Sequence, residues 1–182
     1  MRKAVFLDRD GTINVDKDYL YKIEDFEYLP GVIEGLRLFQ DLGYTLIVLT
    51  NQSGIARGFY TEKDYKLIEM WMENDLKSKG IKISASYFCP HLPDAPIKKY
   101  NVLCDCRKPK LGMFRRAMME WDLDIDKCIA IGDKMRDLAI CKVSGCKGYL
   151  ISKSEFEFVT EAVDHITCVQ DWDTLINFIK GR

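Results

Sequence analysis

Short apolar runs alternate with longer stretches of helical periodicity along the 182 residues. Strand candidates occupy 4–7, 45–49, 86–89, 128–131, 148–151 and 166–169. Between them, 32–42 carries Val32, Leu36, Phe39 and Leu42 at helical spacing, and helical patterns recur over 113–121, 136–143 and 172–179. A further helix opens at Thr61, which can cap it. Asp64 stands three residues on, Tyr65, Ile68, Met72 and Leu76 share one face, and Gly80 is a stop signal. Strands that take turns with helices pair in parallel, and a parallel sheet needs helices on both faces. An α/β fold follows, in a chain of single-domain length (1–182).

Composition narrows the function classes. Apolar residues make up 47% of the chain, enough for a core, yet no apolar run approaches the ~18 residues of a membrane span. The apolar run near the N-terminus is too short for a secretory signal, so the cytoplasm is the expected address. Net charge is −1 without long basic blocks, which argues against nucleic acid as a partner and for a small molecule held by a local cluster. Seven cysteines, an odd number, read as thiols or metal ligands rather than a disulfide framework. Oligomeric state is not legible.

The stretch "VFLDRDGTIN" ends an apolar run in two aspartates one residue apart. In an extended strand alternate residues share a side, so Asp8 and Asp10 can face one point while Arg9 faces away. They fall just past the carboxyl end of a parallel strand, where open α/β sheets bind ligands. Two converging carboxylates repel unless a cation lies between them or one is protonated, and magnesium suits hard oxygen ligands. A plain Asp-Gly turn is the competing reading; an EF-hand loop is excluded because Gly11 stands at position 4, counting Asp8 as the first, instead of position 6. Three more strand ends favour a site. "TLIVL" runs into Thr50, Asn51, Gln52, Ser53 and Gly54, a turn rich in donors for phosphate oxygens. "CIAI" runs into Gly132, Asp133 and Lys134, with Asp137 following. Arg107 and Lys108 precede a helix N-terminus, which itself favours anions.

The segment 90–110 fits neither strand nor helix. Cys89 and His91 stand at one end, Cys104 and Cys106 at the other. Three thiols and an imidazole suit a closed, four-coordinate structural zinc site over about 89–106, although C-x-H and C-x-C are tighter than the usual spacings. Buried thiols near a turn are the alternative. Cys128, Cys141, Cys146 and Cys168 read as core or ordinary thiols, and His165 as a surface residue.

"FLDRDGTIN", "TNQSGIARG", "CDCRKP" and "IGDK", in that order, resemble the four signature motifs of the haloacid dehalogenase superfamily of phosphatases. More narrowly, the region from about 4 to 150 resembles the branch that contains the heptose bisphosphate and histidinol-phosphate phosphatases. The resemblance implies a Rossmann-like parallel sheet without a separate cap domain, closed over by the loops 16–19, 52–57 and the zinc loop. It implies Asp8 as nucleophile, Asp10 as general acid/base, and Thr50 and Lys108 as stabilisers of the phosphoryl group. Magnesium ligands would be Asp8, Asp133 and the backbone carbonyl of Asp10. Arg107 would recognise substrate, with Asp16, Tyr19, Asn51, Gln52, Ser53, Arg57 and Lys134 around it. The branch also carries a zinc loop matching Cys89, His91, Cys104 and Cys106. Its usual proline and second histidine are replaced here by Leu111 and Leu92. The twelve residues between His91 and Cys104 are similar to the longer loop of the heptose enzymes. This implies hydrolysis of the C7 phosphate of a heptose 1,7-bisphosphate, a step towards nucleotide-activated heptose. Histidinol phosphate as substrate, phosphotransfer to an alcohol, and a non-catalytic phosphate-binding or zinc-scaffold protein are the alternatives. Nothing is legible in 152–164.

Overall fold

The structure, a computed structural model, describes residues 1–152 and 165–181. Six parallel strands form one sheet: β1 (Ala4–Leu7), β2 (Thr45–Asn51), β3 (Ile83–Cys89), β4 (Ile129–Gly132), β5 (Lys147–Ile151) and β6 (Ile166–Val169), in the order β3-β2-β1-β4-β5-β6. Val5 pairs with Leu46 on one side and with Ile129 on the other, so β1 is central. The strand order reverses direction beside β1, which opens a crevice at the carboxyl ends of β1 and β4.

Alternation along the strands divides the core in two. Val5 and Leu7 join a cluster with Leu36, Phe39, Val48 and Trp172, whereas Ala4 and Phe6 join Ile47, Leu49, Phe114 and Ala130 on the opposite face. The first face is covered by α1 (Val32–Asp41) and by a long helix over Glu62–Ser78, labelled α3 below, with the C-terminal helix over Trp172–Lys180 beside α1. A one-turn helix, α2 (Gly54–Arg57), precedes α3, and α4 (Gly112–Trp121) lies on the second face; the C-terminal helix is α5. Thr61 caps α3 reciprocally: its hydroxyl accepts from Asp64 N at 3.2 Å, and Asp64 Oδ2 accepts from Thr61 N at 2.8 Å. Gly80 follows with φ of 79° and ends the helix, as its sequence position implies.

Two expectations are corrected. The segment expected as a helix over 136–143 is a 3₁₀ helix, Met135–Lys142. An apolar face at spacings of three fits both forms, so its periodicity could not separate them. Strand β2 runs past its expected end because Thr50 and Asn51 keep pairing with Phe88 and Cys89, and β3 starts earlier than expected because Ile83 and Ala85 pair with Leu46 and Ile47. Of 152–164, residues 153–164 lie outside the described residues. No helix among the described residues is long and apolar enough to cross a membrane.

Candidate active site

After Leu7 the chain stays beside β4 for one more residue, Asp8 N donating to Ile131 O at 3.0 Å. It then turns through Gly11, whose φ is +83°; a Cβ there would lie 2.5 Å from Asp133 Oδ2. Only glycine lets this loop pass so close to Asp133. Asp8 is buried and accepts from Lys108 Nζ at 2.7 Å. The same ammonium pairs with Asp137 Oδ1 at 2.8 Å and donates to Leu49 O at 2.5 Å. Burial, and next the Asp137 charge, push the Asp8 pKa up to about 7 against the opposing pull of Lys108. Burial alone would lower the Lys108 pKa, but Asp8 and Asp137 outweigh it and the net direction is up.

One lysine does not balance the acidic charge gathered here. Asp8, Asp133 and Asp137 each offer an oxygen within 4.8 Å of the others. Asp133 Oδ1 is buried without a hydrogen-bond partner among the described residues, and burial raises the Asp133 pKa despite the adjacent Lys134. A hard divalent cation such as magnesium fits this donor set. Of the expected ligands, the carboxylates of Asp8 and Asp133 come together; the donor expected from Asp10 is its backbone carbonyl, and its side chain is engaged by Arg9 instead. Asp137 joins them, which the sequence reading placed nearby without giving it a role.

Arg9 does not face away. The strand ends at Leu7, so alternation no longer applies, and the Arg9 side chain folds back onto its neighbour. Its Nε and Nη2 donate to Asp10 Oδ1 at 3.1 and 2.9 Å, and Nη2 reaches Oδ2 at 2.9 Å. Arg9 is 1% exposed. Asn14 Nδ2 donates to Asp10 Oδ1 at 3.0 Å and Gln52 Nε2 to Oδ2 at 2.9 Å. Gln52 also donates to Thr50 Oγ1 at 2.9 Å and accepts from Tyr60 OH at 2.6 Å. Asp10 is therefore held from three sides by donors. Asn51 acts comparably on Lys108: its amide accepts from Lys108 N at 3.0 Å and donates to Lys108 O at 3.1 Å. Both amides, expected on substrate, are engaged in fixing catalytic candidates.

A cavity of about 320 Å³ opens over these groups. Asp8, Asp10 and Thr50 line it, as do Asp16, Tyr19, Asn51, Gln52, Ser53, Arg57, Arg107 and Lys134, all expected around substrate. Lys108 and Asp133 lie behind this lining. Lys134 is held by carboxylates, 2.5 Å from Asp133 and 3.9 Å from Asp16. Arg136 and Asp137 line the cavity too. Asp137 had a legible signal, four residues beyond Asp133; Arg136 and Arg9 had none beyond their charge.

The loop ligands converge. Cys89 Sγ lies 3.7 Å from His91 Nδ1, 3.6 Å from Cys104 Sγ and 3.0 Å from Cys106 Sγ, and His91 Nδ1 lies 3.3 Å from Cys106 Sγ. Tetrahedral zinc, with Zn–S of about 2.3 Å and Zn–N of about 2.0–2.1 Å, holds its ligand atoms roughly 3.5 Å apart, so the four fit it. The loop is tied to the site: Arg107 Nη1 donates to His91 O at 3.3 Å, and Gln52 N to Cys89 O at 2.8 Å.

Residues 3–164 match the family described as "Polynucleotide kinase 3 phosphatase". A D-glycero-alpha-D-manno-heptose-1,7-bisphosphate 7-phosphatase of Photorhabdus laumondii is 49% identical over 136 residues, 75% of this chain and 74% of its own. The D-glycero-beta-D-manno-heptose-1,7-bisphosphate 7-phosphatase of Haemophilus ducreyi is 43% identical over 147 residues, 80% of each chain. The chain belongs to the heptose bisphosphate phosphatase family of haloacid dehalogenase enzymes. A D,D-heptose 1,7-bisphosphate phosphatase from B. bronchiseptica, solved with magnesium and phosphate, superimposes with a TM-score of 0.81 at 28% identity. That match covers 100% of this chain and 99% of the other.

Proposed function

We propose that this chain hydrolyses the C7 phosphate of D-glycero-D-manno-heptose 1,7-bisphosphate, as a magnesium-dependent phosphoric monoester hydrolase on the route to nucleotide-activated heptose. The observation that carries the reaction class is Asp8, buried against Lys108 at the floor of a cavity, beside carboxylates whose charge Lys108 does not balance. The substrate follows from relatives named for this reaction.

Asp8 attacks phosphorus in line with the C7 oxygen. As the Asp8–phosphorus bond forms, the phosphorus–oxygen bond to the sugar breaks, and Asp10 gives its proton to the departing oxygen. Asp10 next takes a proton from water, whose oxygen attacks the phosphorus of the aspartyl-phosphate, freeing Asp8 and phosphate. Arg9, Asn14 and Gln52 keep Asp10 aimed at the leaving group. The Lys108 ammonium and the Thr50 hydroxyl meet charge spread over the phosphoryl oxygens. Asp8, Asp133 and the Asp10 carbonyl, with Asp137 adjacent, would hold magnesium, which would supply the charge neutralisation that lets anionic Asp8 approach an anionic phosphate.

Cys89, His91, Cys104 and Cys106 hold a structural zinc in this reading, which fixes the segment leading into Arg107 and Lys108. Thiol ligands need reducing surroundings, which supports the cytoplasm as the compartment. The site draws on β1, β2, β4 and the zinc loop, which supports one working domain. The test is kcat/KM for both heptose bisphosphate anomers, histidinol phosphate and an oligonucleotide 3′-phosphate. One heptose anomer should lead; a clear preference for either of the other two overturns the substrate.

A further inference from the structure

The floor and the rim of the cavity differ in how their cations are used. Beneath the floor, Lys108 is 2% exposed and engaged by Asp8 and Asp137, which line it. At the rim, three arginines line the same cavity: half-buried Arg107, and exposed Arg57 and Arg136. None of the three makes an ion pair among the described residues. Arg107 donates only to a backbone carbonyl, His91 O, and Arg57 lies over the Tyr19 ring at 5.8 Å. Most of the carboxylates of the cavity are engaged elsewhere, Asp8 and Asp137 with Lys108, Asp10 with Arg9, and Asp16 near Lys134. Three guanidinium groups that repel one another around an opening are stabilised together by one bound polyanion.

A phosphate attacked by Asp8 fills the floor and leaves this rim unsatisfied. We propose that Arg136 is a specificity-determining residue which, with Arg107 and Arg57, seats the second phosphate of a sugar bisphosphate at the cavity rim. The proposal rests on the sugar-bisphosphate reading above and deepens it. Arg107 supplies the inner, half-buried contact. Arg136, carried on the 3₁₀ helix one residue before Asp137, closes the seat from the β4 side. A guanidinium fork suits this task because it can meet two phosphate oxygens at once.

The test compares heptose 1,7-bisphosphate with heptose 7-phosphate on the wild type, Arg136→Gln and Arg136→Glu. The side chain is exposed, so both variants should fold. In Arg136→Gln, KM for the bisphosphate should rise about tenfold more than KM for the monophosphate, the scale of one lost charge-assisted contact. Arg136→Glu should widen the gap, because it places a like charge against the second phosphate. An unchanged ratio of the two kcat/KM values in both variants overturns the role of Arg136. A wild type that does not favour the bisphosphate at all overturns the substrate reading, and the seat with it.

Discussion

Arg9 and Asp10 are sequence neighbours, yet their relation is set by where β1 stops. Alternation predicts that Arg9 points away from Asp8 and Asp10, and this fails because Leu7 is the last strand residue. Once the backbone leaves the pleat, the guanidinium is free to return, and burial among Tyr65 and Leu20 O holds it there. The identity of Asp10 as a partner of Asp8 was legible; the agent that aims it was not. The same holds for Asn51 and Gln52, whose donor-rich turn was read correctly as part of the site but whose amides act on Lys108 and Asp10. Arg9→Lys should lower kcat by about tenfold to a hundredfold, since a hydrogen bond to a charged group contributes ~1.5–3 kcal/mol. KM should stay within roughly twofold, because Arg9 aims the acid and does not grip the sugar. Steady-state kinetics with a circular dichroism control reads this directly; a rise in KM with kcat unchanged would contradict it.

Among the elements, the sheet was the most legible part of the chain. The bounds of β1 and β6 coincide with their apolar runs, because both strands end where the apolar residues end. The order of the strands was not legible, since local periodicity carries no information on which strand pairs with which. The loop between Cys89 and Cys106 was legible as a metal cluster through its residue types alone. Its consequence for the site was visible only in space, through the Arg107 contact to His91 O and the Gln52 contact to Cys89 O. On the zinc reading proposed above, a loop with few apolar side chains would gain its order from the metal rather than from packing. Cys106→Ser should therefore release zinc, detected as a fall from about one metal per chain in elemental analysis, as a four-ligand site implies. It should also raise KM severalfold through misplaced Arg107. Full zinc retention, or a zinc-free wild type with reduced thiols, would contradict the assignment.

For the whole molecule, the central fact is that one crevice collects side chains from distant parts of the sequence. Asp8 just past β1, Thr50 in β2, Lys108 just past the zinc loop and Asp133 just past β4 meet because the strand order reverses at β1. Trp172 of α5 fastens this arrangement from below, its indole donating to Thr12 O at 2.8 Å. The motifs announced the participants, and the topology explains why their order in the sequence need not be their order in space. In the mechanism proposed above, what converts that assembly into a phosphatase is a covalent bond to Asp8. The most direct measurement mixes enzyme with heptose bisphosphate carrying ³²P at C7, quenches in acid within the first turnover, and maps the label by peptide. The account predicts hydroxylamine-labile label on the peptide containing Asp8 in the wild type, and neither label nor turnover in Asp8→Asn. Label on another residue, or sustained turnover by Asp8→Asn, would contradict it.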